Sequence, residues 1–76
     1  MMDRTLLEAA AQAIRVAPEE AEKHCREVPE INGYYCWNPV RGGLSVLINA
    51  DGERLIATSS VSFAKHLDTF LSGRRN

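Results

Sequence analysis

The apolar residues near the N-terminus recur at steps of three and four, which is typical of a helix that buries one side. They are Leu6, Ala10, Ala13, Ile14 and Ala17. Thr5 and Glu8 fit a capping box with Thr5 as the N-cap, so the pattern predicts a helix from there to about Val16. Pro18 disfavours helical backbone at the residue before it, and the first helix is therefore expected to end there.

The segment from residue 18 to residue 29 fits two structures. Pro18 suits the first position of a helix, and the two glutamates that follow it favour the same helix through its dipole. Asn32 and Gly33, however, tolerate the positive φ of a tight type I′ turn, which would pair residues 24–28 with the aromatic run that follows. Both interpretations remain open, and each includes a helical turn after Pro18.

Alternating and aromatic residues after Gly33 predict a β-meander. The predicted strands are residues 34–40, 44–49 and 53–58. Pro39 and the pair Gly42-Gly43 mark the first connection between strands. The second connection is an Asp-Gly turn, in which Gly52 is expected to adopt the left-handed backbone conformation.

A second amphipathic helix is predicted near the C-terminus. Its apolar positions are Val61, Phe63, Leu67, Phe70 and Leu71. Ser59-Ser60 would supply the N-cap, Gly73 would end the helix, and His66 would lie on its polar side. The whole pattern predicts a single α+β domain over residues 1–76: an N-terminal helix, an antiparallel meander sheet of three or four strands, and a C-terminal helix packed on one sheet face. Both helices are expected on the same face.

Length and composition agree with one small globular domain. The chain has 76 residues, of which 45% are hydrophobic and 25% charged, and its formal net charge is −1. Such a charge supplies no positive field to attract nucleic acid or an anionic membrane surface. Neither a signal peptide nor a membrane-spanning stretch is recognisable, so the protein is expected in the cytoplasm.

In that compartment the two cysteines are expected to be free thiols, packed as small apolar residues. Together with the two histidines they match the composition of a Cys2His2 zinc site, which would consist of His24, Cys25, Cys36 and His66. Zinc ligands usually come in pairs separated by about two to four residues, whereas His24 and Cys25 are adjacent, so no metal is predicted. No nucleophile elbow or phosphate-binding loop occurs, and the sequence predicts neither an enzyme nor a cofactor.

Charge is distributed unevenly along the chain. Residues 1–33 hold seven acidic and four basic side chains, whereas residues 34–76 hold three acidic and five basic ones. The acidic excess includes Glu19, Glu20, Glu22, Glu27 and Glu30. These side chains would form either an ordinary solvated surface or an acidic face that meets a basic partner.

The aromatic strand contains a second group of candidate contact residues. Strand alternation directs Tyr35 and Trp37 to one face of the sheet and Tyr34 and Cys36 to the other. Exposed tyrosine and tryptophan are typical interface anchors, although the same rings could fill the core of so small a domain. Arg41, in the turn that follows, joins the predicted contact residues. Its single Arg-Gly-Gly triplet lacks the basic surroundings that indicate nucleic-acid binding.

Two stretches in the second half of the chain follow an order of elements known from one family. They run from Trp37 through the Asp-Gly turn to Glu53, and from Ser59 to Leu67. An aromatic strand, a turn of small residues, an apolar strand ending in an Asp-Gly hairpin and a short amphipathic helix resemble the small immunity-type domains found beside bacterial polymorphic toxins. The resemblance covers about half the chain. It implies a non-enzymatic cytoplasmic protein that binds and blocks a cognate toxin, and it assigns no binding residue.

The sequence therefore predicts a small cytoplasmic protein-interaction domain, with an immunity-type inhibitor as its most specific form. The alternative is a self-associating domain that forms a homodimer through an exposed edge of the sheet. A sheet of three or four strands leaves two edges whose backbone groups lack a strand partner.

Overall fold

The described part of the chain, residues 3–76, folds into three α-helices and four strands in this computed structural model. The helices are α1 (Arg4–Ile14), α2 (Pro18–Lys23) and α3 (Phe63–Leu71). The strands are β1 (Cys25–Val28), β2 (Gly33–Trp37), β3 (Leu44–Asn49) and β4 (Arg54–Thr58). They form one antiparallel sheet in the order β1-β2-β3-β4, which confirms the predicted α+β meander between an N-terminal and a C-terminal helix.

The two interpretations of residues 18–29 are both realised, one after the other. Pro18 starts α2, where a proline leaves no backbone N–H unsatisfied, and the helix buries Ala21. The helix ends at Lys23, and β1 follows after one residue and pairs with β2. The fourth strand of the meander is therefore the extra strand that the hairpin interpretation predicts.

The turn between β1 and β2 is longer than the predicted type I′ turn. A 3₁₀ turn at Pro29–Ile31 precedes Asn32, whose φ of 52° is left-handed. Gly33 instead begins β2, and a Cβ atom there would come within 2.6 Å of the Cα atom of Asn49 on β3. The glycine is required by this close approach of two strands, not by a left-handed conformation.

Strand boundaries follow the prediction for β3 and differ slightly for its neighbours. β2 ends at Trp37, earlier than predicted: the backbone N–H of Asn38 still donates to the carbonyl of Leu44 over 2.9 Å, and Pro39, which has no N–H, follows. Nδ2 of Asn38 donates to the carbonyl oxygen of Ile14 over 2.9 Å. β4 begins at Arg54, and Gly52 has the predicted left-handed conformation, with a φ of 85°.

Both long helices start at a residue other than the predicted one. Oδ1 of Asp3, and not Thr5, caps α1 by accepting a hydrogen bond from the Thr5 backbone N–H over 2.7 Å. Oγ of Ser62, and not Ser59-Ser60, caps α3 by accepting from the Lys65 N–H over 3.2 Å. In each case the side-chain oxygen must reach the second or third N–H of the helix, and the helix start decides which polar residue can do so.

The sheet carries an apolar layer on each face. On one face α1 and α2 contribute to a cluster of Leu7, Ala10, Ala11, Ala13, Ile14, Ala21, Cys36, Val46 and Ile48. On the other face α3 contributes to a cluster of Val28, Ile31, Leu47, Leu55 and Phe70. The expectation that both helices cover the same face is wrong, because β3 sends Val46 and Ile48 towards α1 but Leu47 towards α3.

The α3 layer is centred on β3 and β4, the two strands that α3 chiefly contacts. A helix about 10 Å across covers about two strands, since neighbouring strands lie about 4.8 Å apart. β1 and β2 are therefore only partly covered on this side: Val28 is buried in the α3 cluster and Tyr35 meets Phe63, whereas Arg26 is exposed.

The two edges of the sheet differ. At the outer edge of β4, Asn76 forms three hydrogen bonds to the strand: its backbone N–H donates to Arg54, and its side chain accepts from and donates to the backbone of Ile56. The outer edge of β1 pairs with no strand in the part of the chain that the structure describes. Among residues 3–76, the outer edge of β1 is thus more open to another chain than that of β4.

A disulfide joins Cys25 on β1 to Cys36 on β2, so the expectation of free thiols is wrong. The register sets the two residues directly opposite each other, with Cα atoms 4.1 Å apart. The preceding pair is hydrogen-bonded, because the N–H of Trp37 donates to the carbonyl of His24 over 3.0 Å. Cys25 and Cys36 are therefore a non-hydrogen-bonded pair, the type in which antiparallel strands approach most closely.

We expect reduction of this disulfide to lower the free energy of unfolding by about 3 kcal/mol, the loop-closure value for the short loop that it closes. Urea unfolding of the oxidised protein, with and without reductant, measures the difference. The double variant Cys25→Ser/Cys36→Ala is the control and should not respond to reductant. Equal unfolding free energies for the oxidised and reduced protein would contradict the expectation.

Candidate interaction site

The predicted contact residues separate into two groups on opposite faces of the sheet. Tyr35 and Trp37 lie on the α3 side, as strand alternation predicts, and the exposed Arg41 lies in the loop that continues from them. Tyr34 lies on the α1 side and packs against the α1 cluster. Glu27 is directly opposite Tyr34 in the β1–β2 register and therefore shares its face.

Four rings form an aromatic cluster on the α3 side of β1 and β2: His24, Tyr35, Trp37 and Phe63. Tyr35 stacks on Trp37 with ring centroids 5.6 Å apart and meets the edge of Phe63 at 4.9 Å. The His24 ring lies 5.9 Å from Trp37. All four side chains are half-buried, so the cluster is packed within the protein yet presents ring surface to solvent.

Arg26 lies over this cluster and is not among the contact residues predicted from the sequence. Its guanidinium carbon is 4.1 Å from the ring centroid of Phe63 and 5.8 Å from that of Tyr35. The β1–β2 register places Arg26 directly opposite Tyr35. The hairpin interpretation of residues 18–29, with its register worked out, would therefore have predicted Arg26 as a neighbour of the aromatic residues. When a guanidinium lies face-on against a ring, its N–H groups point outward in the guanidinium plane and remain available for other partners.

A cleft of about 490 Å³ lies between the aromatic cluster and the loop of residues 38–43. A second hollow of about 340 Å³ adjoins it beneath Arg26. We call the two together the cationic cleft; its lining includes Arg26, Tyr35, Trp37, Val40, Arg41 and Ser59. Within residues 3–76, no carboxylate lines either hollow. Val40 is 61% exposed, which places an apolar side chain in contact with solvent at the rim.

The opposite face has a cleft of different character. It has a volume of about 370 Å³ and its lining includes Tyr34, Leu6 and the carboxylate residues Asp3 and Glu27. Asp3 uses its carboxylate to cap α1, whereas Glu27 is exposed. Tyr34 is thus separated by the sheet from the other predicted aromatic contacts and lies next to acidic residues.

The predicted acidic residues of α2 are exposed at the end of the sheet where β1 begins. They are Glu19, Glu20 and Glu22, and Glu30 is exposed in the 3₁₀ turn. Glu20 lies 3.6 Å from the Lys23 ammonium and 3.9 Å from Nε2 of His24. Through His24, this acidic surface borders the aromatic cluster at one end.

His66 is buried between α3 and the sheet, so its predicted position on the polar side of the helix is wrong. Only 1% of its surface is exposed. Its Nε2–H donates to the carbonyl oxygen of Leu55 over 2.7 Å, and the Oγ of Ser45 lies 3.4 Å from Nδ1 and can donate to it. Burial lowers the pKa of His66 below its ordinary value of 6.5, against a smaller raising effect of the Leu55 hydrogen bond.

The proximity of Ser45 and His66 does not give the arrangement of a nucleophile and its base. Both side chains are buried, and the second ring nitrogen meets a backbone carbonyl where a catalytic dyad needs an orienting carboxylate. The four zinc candidates are not assembled either, since the cysteines are bonded to each other. Among residues 3–76 no three metal-ligating side chains cluster, and none of the helices there has the length and apolar character to span a bilayer.

We expect the free energy of unfolding to fall as the pH drops below about 6.5. The unfolded chain protonates its histidine near that pH, whereas folded His66 does so only at lower pH, so the unfolded state binds more protons in this interval. The contribution of His66 to the free energy of unfolding is fully present above pH 6.5. It is lost as the pH falls towards the lowered pKa of the folded state. Urea unfolding from about pH 7.5 to about pH 5 measures the slope.

The His66→Gln variant should flatten this slope, and the control variant His24→Gln should keep it because His66 is unchanged. Identical slopes for the wild type and the His66→Gln variant would contradict the assignment.

No protein-family model, curated protein or solved structure matches the chain. A function for the protein must therefore be argued from the geometry of its own surfaces.

Proposed function

We propose that the protein is a small, non-enzymatic interaction domain that binds another protein through the cationic cleft. The resemblance to immunity-type domains favours a specific form of this function, in which the bound protein is a cognate toxin and binding blocks it. The observation that carries the proposal is the half-buried aromatic cluster at the margin of the α3 layer, beside the exposed Arg26.

The residue types at this site are those that contribute most to protein interfaces. Tryptophan, tyrosine and arginine are enriched among residues whose truncation costs the most binding free energy. The rings already pack against one another and against Arg26, so few side-chain rotamers need to be ordered when a partner binds. Half-buried rings that face solvent at such a site support binding of a partner over a purely structural role.

The acidic surface of α2 supplies a second contact in this proposal. Glu19, Glu20 and Glu22 are exposed on one side of the aromatic cluster, and Arg41 is exposed on the loop at the cleft. A negatively charged surface and a positively charged one at fixed positions orient an approaching partner protein. They also disfavour proteins whose charges do not match this arrangement. Tyr34 and Glu27 lie on the far face and would be reached only by a partner that extends around the β1 edge.

The cytoplasmic location stays a prediction of the sequence, and the disulfide is the observation that bears on it. Disulfides persist in oxidising compartments, whereas the cytoplasm keeps most thiols reduced. In the cytoplasm, Cys25 and Cys36 would face each other as thiols across the β1–β2 pair. In an oxidising compartment the bond between them would stabilise the strand that carries Arg26.

A homodimer through β1 is the second candidate function, and the open edge of β1 is the observation that favours it. Because His24, Arg26 and Val28 are the hydrogen-bonded partners of β2, the backbone groups of Cys25 and Glu27 point outward. A second copy of β1 could accept those hydrogen bonds.

The charges on β1 act against this homodimer. In an antiparallel pair, residues directly opposite each other share a face of the sheet, so a symmetric pair centred on β1 sets Arg26 against Arg26 or Glu27 against Glu27. Both side chains are exposed and like charges in that position are destabilising. We therefore favour binding to a different protein.

Size-exclusion chromatography over a concentration series distinguishes the two candidates. We expect the protein to elute as a monomer throughout, because the symmetric registers centred on Arg26 and on Glu27, in the middle of β1, bring like charges together. A peak that shifts to the dimer volume as concentration rises would instead support the homodimer.

Affinity capture from the host lysate tests the leading proposal. We expect the wild-type protein to retain a partner, and the variants Trp37→Ala and Arg41→Gln to bind it at least about tenfold more weakly, as truncated interface anchors do. The control is Leu71→Ala, which removes an apolar side chain that is 56% exposed on α3, and it should bind like the wild type.

Circular dichroism of each variant separates lost binding from lost folding, and Arg41→Gln, in an exposed loop, preserves the test if Trp37→Ala fails to fold. Partner retention that is equal in the wild type, Trp37→Ala and Arg41→Gln would contradict the proposal.

A further inference from the structure

We infer that the partner presents an acidic segment to the cationic cleft: an extended stretch of chain that carries aspartate or glutamate beside an apolar side chain. The inference rests on the proposed function, because it names the chemistry of the partner at the same site. Three features of the cleft support it, namely its charge, the geometry of Arg26 and the apolar rings between the two arginines.

The charge of the cleft is positive and unbalanced. Arg26 borders one end and Arg41 the other. Within residues 3–76 neither guanidinium takes part in an ion pair, and no carboxylate lines the cleft. Glu20, which borders the aromatic cluster through His24, lies 3.6 Å from the Lys23 ammonium. A carboxylate from another chain is therefore the missing counter-charge for both arginines.

Arg26 is held in a position that suits a carboxylate. Its guanidinium carbon lies 4.1 Å from the Phe63 ring centroid, and this contact limits the motion of the side chain. A planar guanidinium with free N–H groups binds a carboxylate through two parallel hydrogen bonds. Since the stacked side chain has already lost much of its rotamer freedom, less entropy is lost when the ion pair forms.

The aromatic rings and Val40 indicate which type of partner residue would lie next to the partner's carboxylate. Tyr35 and Trp37 form the wall of the cleft between the two arginines, and Val40 contributes an exposed apolar side chain at the rim. An apolar side chain that enters the cleft would be removed from water on the stacked rings. The cleft therefore favours an acidic segment with apolar residues over a purely acidic tract.

A nucleic acid could also stack on the rings and meet the arginines, and the observations favour a protein instead. A phosphate backbone carries regularly spaced negative charges, and its affinity grows with the number of cationic contacts. The site offers two arginines, and the exposed glutamates of α2 border it at His24. The net charge of −1 gives the protein no long-range attraction for nucleic acid.

Trp37 is the only tryptophan of the chain and lies in the cleft, so its fluorescence reports binding directly. The probe is a short synthetic peptide, capped at both ends, in which glutamate alternates with phenylalanine. The control peptide has glutamine in place of each glutamate. An oligothymidylate of similar length measures nucleic-acid binding under the same conditions.

We expect the glutamate peptide to bind at least about tenfold more tightly than the glutamine peptide and the oligothymidylate. The variants Arg26→Gln and Arg41→Gln should each weaken its binding by about tenfold. Arg4→Gln is the matched control, since it removes the same charge on α1, on the opposite face of the sheet, and should leave the affinity unchanged. Added salt should weaken binding of the glutamate peptide and have little effect on the glutamine peptide.

Equal affinity for the two peptides, an Arg4→Gln effect as large as that of Arg26→Gln, tighter binding of the oligothymidylate, or no binding at all would each overturn the inference. This result is distinguishable from failure of the proposed function. If Trp37→Ala abolishes retention of a partner from lysate while the glutamate peptide does not bind, the interaction site stands and only the acidic chemistry of the partner is wrong.

Discussion

Burial of β3 on both faces is the constraint on which the rest of the fold depends. Val46 and Ile48 need one apolar layer and Leu47 needs another, so the chain must supply helices on both sides of a four-stranded sheet. The polar residues of the same strand need partners of their own. Ser45 finds His66, and the side chain of Asn49 bonds to residues of the β3–β4 turn. A strand buried in this way leaves little choice about where α1 and α3 can lie.

The chain meets this constraint with two helices on one face of the sheet and one helix on the other. The candidate site follows from this difference in helical cover. α1 and α2 cover the sheet together on one face, whereas the nine residues of α3 lie mainly over β3 and β4 on the other. On this face β1 and β2 carry Val28, which α3 helps to bury, and Arg26, Tyr35 and Trp37, which stay exposed or half-buried. Those side chains shield one another by stacking, which leaves the cleft between them and the following loop open to a partner.

The sequence pattern predicted the order of β2, β3 and β4, because hairpin turns and alternating residues are local signals, and it left β1 open as one of two structures for residues 18–29. It did not predict the position of His66, although Phe63, His66 and Phe70 are spaced as one helix face, because a histidine counts as polar until a partner such as the Leu55 carbonyl is known. The Cys25–Cys36 pairing and the place of Arg26 both required the β1–β2 register. Register depends on the whole sheet, and the expected reducing compartment argued against a disulfide before the register was known.

The strand order also affects how fast the chain folds. Each strand pairs with its neighbour in sequence, so every hairpin closes a short loop, and short loops cost less conformational entropy than distant contacts do. Proteins dominated by such local pairings fold faster than proteins whose strands cross over. The disulfide joins two strands of a single hairpin, and its cysteines meet as soon as that hairpin forms. The same hairpin carries Arg26, Tyr35 and Trp37, so this part of the candidate site would come together in the same early step.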